Sequence, residues 1–427
     1  MPLTRRQMLA GLGASGLVAR AHAFPMMLGG SSYKTTQQRL RKWNPGHYLQ
    51  TDNRNGNSTG TGGNGRNHSE ILYLATTGPG GAWSGSNVLG YQAYYNWHLL
   101  ENTKNSYNFS AITSDFLDLQ ANCPGARFIP TLIFADYLYI PSVTATISGG
   151  VPSYILADPT TYGTGPNGYQ GGYALANWDG TAWDLVTPMF WNNNVIARIE
   201  ALYAALAATV IPDGLGYTFD THPLIEGIND ATELSLDYVS GGNPNSSYTS
   251  AGFYANYTSL NNAVPGYFPH TSFVPYTASY GLSPGSTTAI NNLDSAITND
   301  KTAGCSLSTS DVYGDITALT WGQHLYIGDA WNGTGWNTGA GNDRRGQMSY
   351  WACVQSPDYD RNTGGSTYTQ AVQNIYNVST STLQASHILW CITSEVAGTG
   401  SAFFTSYVLP QINANPTINA PYPANYP

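Results

Sequence analysis

From residue 71 to the C-terminus the chain alternates short apolar runs with longer stretches whose apolar residues recur at i, i+3, i+4 and i+7. That alternation limits the fold more than any other feature, because strands separated by helix-length segments are βαβ units, which build parallel sheets covered by helices. Strands are expected at 71–75, 90–97, 127–134, 224–229, 272–277, 304–308, 348–355 and 386–392. Helices are expected at 110–119, 193–208, 250–263, 287–298 and 368–378, with a closing helix at 403–412. Ile196, Ile199, Leu202 and Leu206 illustrate the pattern, lying along one stripe. The helix after strand six is poorly marked, and 311–346 is rich in Gly, Asn and Trp.

Eight strands with interleaved helices point to an α/β chain folded as a (β/α)8 TIM barrel, with a long insertion at 135–186 after strand three. A doubly wound open sheet would call for a glycine-rich phosphate turn after an early strand, but no G-x-G-x-x-G directly follows an expected strand and opens an expected helix, and no P-loop occurs. In a barrel the loops after the strands form the active-site mouth, so the insertion is expected to wall a cleft there.

Charge narrows the partners. Only 10% of residues are charged, with Lys+Arg 16 against Asp+Glu 25, so the chain has no basic footprint for nucleic acid or an anionic membrane. A surface built from Gly, Asn, Ser, Thr and 31 Tyr suits uncharged polyhydroxylated ligands instead. The four cysteines have no C-x-x-C spacing and the eight histidines are scattered, so no metal or cofactor is expected. Arg5-Arg6, a mild apolar run over 8–19 and Ala21-His22-Ala23 resemble a twin-arginine signal peptide at 1–23. The run is shorter than the roughly 20 residues that span a bilayer. The expectation is a periplasmic or secreted bacterial protein with no membrane insertion after cleavage. Residues 24–70, centred on a Gly/Asn tract, read as a flexible arm, leaving 71–427 as the barrel domain.

The segment 90–110, GYQAYYNWHLLENTKNSYNFS, resembles strand two of the cellulase and β-galactosidase clan of (β/α)8 glycoside hydrolases. Trp97, Leu100-Glu101, a polar turn and Tyr107-Asn108-Phe109-Ser110 carry that likeness. Ser110 is expected to cap the following helix, Tyr107 and Phe109 to pin the turn, and Glu101 to be structural. The clan's acid/base is a Glu just past strand four, which the resemblance carries onto Glu233, six residues after Gly227, with Thr232 where Asn is usual. Glu226 is the fallback. The clan's nucleophile is a Glu ending strand seven, where this chain has Gln355. Asp311, Asp358 and Asp329 are the carboxylates nearest to that role, Asp311 and Asp358 being the stronger pair. Separation decides the chemistry: roughly 5 Å between carboxyls for a retaining enzyme, roughly 6.5–9.5 Å for an inverting one. Trp97, Asn229, Tyr276, Tyr313, Trp331, Gln355 and Trp390 are expected to contact a carbohydrate, with His98 and His222 near the mouth.

The resemblance implies an exported glycosidase acting on a neutral polysaccharide or oligosaccharide. With Gln355 in the nucleophile position, the competing reading is a non-catalytic glycan-binding or surface-assembly barrel. A polysaccharide lyase would need cations against uronates, for which only Arg344-Arg345 is available.

Overall fold

The computed structural model describes residues 40–50, 66–137, 142–176, 185–230, 247–277, 287–361, 367–392 and 400–427. Residues 1–39 lie outside them, and with them the expected signal peptide and the start of the arm. Eight parallel strands form the centre: β1 (Gly46–Gln50), β2 (Val88–Asn96), β3 (Arg127–Ile133), β4 (Gly227–Asp230), β5 (Ser272–Pro275), β6 (Leu307–Ser310), β7 (Tyr350–Val354) and β8 (His387–Cys391). Their spatial order is β5-β4-β3-β2-β1-β8-β7-β6. The ring closes between β5 and β6 through the parallel bridge Tyr276–Ser308 and the bonds Ser306 N–H to Phe273 O and Thr277 N–H to Ser308 O. Helices follow the strands on the outside: α1 (Arg66–Leu74), α2 (Ser110–Asn122), α3 (Asn193–Ala208), α4 (Ser250–Tyr267), α5 (Thr287–Ala303), α6 (Trp321–Tyr326) and α7 (Tyr368–Asn377). A last helical stretch runs from Gly400 to Ala414. This is the (β/α)8 barrel that the strand–helix alternation predicts.

The expected first strand and arm need correction. Residues 71–75 fall in or directly after α1, and strand one is GHYLQ at 46–50, inside the stretch read as an arm. Its polar ends hid it, since His47 and Gln50 break the apolar run. Both are buried and bonded: His47 Nε2 donates to Asn415 O (2.8 Å) and Gln50 Nε2 to Tyr94 Oη (2.7 Å). Ser110 begins α2 without capping it; Asn108 Oδ1 accepts the Ser110 N–H at 3.1 Å. The poorly marked helix after strand six is α6, fixed by a capping box in which Thr320 and Gln323 exchange side-chain and backbone bonds.

Alternation along each strand divides two cores. Tyr48, Ile129, Val274, Tyr276, Trp351, Cys353 and Leu389 point into the barrel, whereas Leu49, Tyr91, Phe128, Ile228, Phe273, Ala352 and Trp390 pack under the helices. At the N-terminal end of the strands the lumen is closed by a buried ionic knot. Glu226 accepts from Asn44 N–H and Nδ2, Arg127 Nη1 and His387 Nε2 at 2.8–3.2 Å, and the Trp351 ring stacks on His387 at 3.9 Å. These partners hold the Glu226 carboxyl below its usual range against the burial that would raise it. Glu226 is therefore a barrel-bottom residue, at the end of the fold that serves stability.

The insertion after β3 holds a three-stranded antiparallel sheet, Asp136–Tyr137, Leu185–Pro188 and Tyr173–Ala176, and two short helices, Ser153–Leu156 and Pro159–Tyr162.

Candidate active site

The C-terminal ends of the strands carry amides and hydroxyls inward. Register sets Gln50 beside Gln92, Gln92 beside Ile129, and Asn229 beside Thr131 and Val274, all on the lumen face. Gln92 Nε2 donates to Thr131 Oγ1 (2.8 Å), Gln355 Nε2 to Tyr276 Oη (3.0 Å), and Cys353 Sγ to Gln50 Oε1 (3.0 Å). Three acceptors are left over: Gln92 Oε1, Asn229 Oδ1 and Gln355 Oε1 are buried with no donor among the described residues. An acceptor held out of water without a donor costs about 1–3 kcal/mol. A ligand rich in O–H groups removes that cost.

The carboxyls take distinct positions. Asp311 ends β6 with φ 59°, a left-handed conformation uncommon outside glycine. Its Oδ2 accepts from Tyr313 Oη at 2.7 Å, and its carbonyl accepts from Gln323 Nε2 of α6. Asp358 is fully buried behind the mouth, where Oδ2 accepts the Gln355 N–H at 2.7 Å at the start of the short helix Ser356–Arg361. That is a helix-capping carboxylate that positions Gln355. Asp329 pairs with His324 on the barrel flank. Glu233 lies outside the described residues; in sequence it stands three places past the C-terminal end of β4.

Asp136 is a carboxyl that the sequence reading passed over. It stands three residues beyond β3, 7% exposed, its carboxyl without a hydrogen-bond partner among the described residues, and burial lifts its pKa to about 6. Gly149 and Gly150, at φ 114° and 72°, close over it, and a Cβ on Gly149 would sit 3.4 Å from Asp136 Oδ2. Its signal in the sequence was a lone acid just past an apolar strand.

Of the other expected contacts, Tyr276, Gln355 and Asn229 meet in the lumen, and Tyr313 meets Asp311. The aromatic expectations are corrected. Trp390 points away from the mouth, fully buried under the helices, with Nε1 donating to His47 Nδ1 at 3.0 Å. Strand alternation decides this, because His387 and Leu389 take the inward positions. Trp97 is buried against Phe134 and donates to Glu101 Oε2. Trp331 stacks with Trp321 in a hairpin beyond α6, on the flank of the barrel. Glu101 is fully buried and ion-paired with Arg198 of α3, a structural link between the β2 turn and the helix layer. His222 lies before β4, at the opposite end from the mouth, bonded to Asp213. Arg344 and Arg345 precede β7 and are tied to Asp294 and Asp343, so they cannot serve a uronate at the mouth. All four cysteines are buried free thiols.

The architecture defines the class as a (β/α)8 barrel protein. No family model and no curated protein matches the chain. Solved barrels do. The catalytic domain of a β-amylase from Paenibacillus polymyxa aligns over 86% of this chain and 98% of its own length, at 10% identity and TM-score 0.49. A GH5_18 protein from Streptomyces cattleya, in complex with Manβ1-4GlcNAc, aligns over 89% and 83% at 10% identity and TM-score 0.49. Endoglycoceramidase II from a Rhodococcus species, with an iminocyclitol, aligns over 86% and 78% at 10% identity and TM-score 0.44.

Proposed function

We infer that the chain is an exported glycoside hydrolase that binds a neutral oligosaccharide or polysaccharide across the C-terminal mouth of the barrel. The observation that carries this reading is the set of three buried acceptors, Gln92 Oε1, Asn229 Oδ1 and Gln355 Oε1, on three different strands. Sugar hydroxyls supply the matching donors, and a chain with 10% charged residues offers little to an ionic substrate. Hydrolysis takes two carboxyls. Glu233 is assigned the proton donor from its place after β4, and Asp311 the second carboxylate, held by Tyr313 and Gln323. Asp136, which stays protonated up to about pH 6, is the described carboxyl just past a strand end best suited to give a proton. The competing reading, a glycan-binding barrel without catalysis, is favoured by one feature: the inward residue ending β7 is the amide Gln355.

Reducing-sugar release from a panel of neutral polysaccharides tests the assignment, with Glu233→Gln, Asp136→Asn and Asp311→Asn run beside the parent. The expected outcome is activity in the parent, a loss of about 10²–10⁴-fold in the variant of the true acid, and a comparable loss in Asp311→Asn. Binding without release in the parent selects the non-catalytic barrel.

A further inference from the structure

Beside the mouth lies a second feature, a cavity of about 460 Å³ between the loop after β2 and the insertion after β3. We propose that this cavity, resting on the glycosidase reading, holds an apolar uncharged group of the substrate, an aryl ring or short alkyl chain. The size falls within the range of small-molecule sites. Its floor is aliphatic: Ile147, Val151 and Leu156 line it and are nearly inaccessible. Among the described residues no Asp, Glu, Lys or Arg lines it, so they offer an ionic occupant no charged partner.

Much of the polar rim is bonded inside the protein. Ser153 Oγ donates to Asn102, Gln170 bonds the backbone of Ile147 in both directions, and Tyr169 Oη pairs with Thr146 Oγ1. A sugar ring, which needs many partners, finds few here. An apolar group loses nothing by their absence and gains by covering the aliphatic floor. Tyr169, 54% exposed, offers a ring edge or face at the entrance.

His98 adds an imidazole to the lining. His98, two residues past β2, has a buried Nδ1 without a partner, and burial lowers its pKa, so the ring is neutral at physiological pH. A single neutral imidazole suits a single hydroxyl or ether oxygen on the apolar group. Gly149, which also lines the cavity, backs directly onto Asp136, so the cavity adjoins a carboxyl at the end of β3.

The test measures binding apart from hydrolysis. Benzyl alcohol, one apolar ring with one hydroxyl, is titrated into the protein by ligand-observed NMR, with glycerol as the polar control. Two filling variants at exposed lining positions are compared, Ala157→Trp and Ser148→Trp, together with His98→Ala. The expected result is benzyl alcohol binding in the parent, at least tenfold weaker in both filling variants and several-fold weaker in His98→Ala, with no glycerol binding at the site. Benzyl alcohol binding that is absent, or unchanged in both filling variants, overturns the proposal. Hydrolysis distinguishes this failure from failure of the glycosidase reading. Release of aryl and methyl glycosides with equal kcat/KM in the parent and Ala157→Trp keeps the enzyme and removes the cavity's role. Benzyl alcohol binding with no release from any glycoside keeps an apolar site and removes its role as a glycosidase subsite.

Discussion

His47 shows how much one residue is fixed by its neighbours. Burial pushes its pKa down to about 4. The geometry adds a reason: Nε2 donates to Asn415 O and Nδ1 accepts from Trp390 Nε1, so only the neutral ring with its proton on Nε2 satisfies both. A histidine whose folded pKa lies below its unfolded value of about 6.5 contributes fully above pH 6.5 and loses that contribution as pH falls toward 4. The loss amounts to about 2–3 kcal/mol by pH 4.5. Urea unfolding at pH 7 and pH 4.5 checks this. His47→Gln, which keeps one donor and one acceptor, is expected to lose about 2–3 kcal/mol less across that interval than the parent. Equal losses in the two proteins would show that His47 is not the group being titrated. The same reasoning separates Asp358 from Asp311: two aspartates near strand ends look alike in sequence, but one caps a helix and the other occupies a left-handed position at the mouth.

Elements with regular periodicity were legible. α3 was read to its bounds, and seven of the eight strands were placed within a few residues, because apolar side chains must alternate or recur wherever a face is buried. β1 was not legible: its inward and outward polar residues are satisfied by partners on β2 and near the C-terminus, which local sequence cannot show. The mouth was half legible. Asn229, Tyr276 and Gln355 follow from strand ends, whereas the direction of Trp390 turns on a register that a one-residue slip would invert. Gly227 in β4 gives an element-scale test. A Cβ there would lie 2.6 Å from Trp351 Cη2, on a ring that cannot yield, since it stacks on His387 and its Nε1 donates to Ser349 Oγ. Gly227→Ala is expected to cost about 1–3 kcal/mol in chemical denaturation, and an unchanged midpoint would mean that the lumen is looser than this packing.

At the scale of the molecule the two ends of the barrel divide the labour. The N-terminal end is closed by Glu226, His387, Arg127 and Trp351, each bonded or stacked, while the C-terminal end keeps three acceptors without donors among the described residues and carries Asp136 and Asp311. A buried polar group without a partner calls for an explanation, and a hydroxyl-rich ligand is the one proposed for the mouth. Calorimetric titration of a neutral oligosaccharide chosen from the panel, into Glu233→Gln to prevent turnover, addresses this most directly. Asn229→Val and Gln355→Leu, each added to that background, should weaken binding about tenfold, the effect of one lost hydrogen bond of about 1.4 kcal/mol. Affinity unchanged in both would contradict the assignment of the mouth as the sugar site.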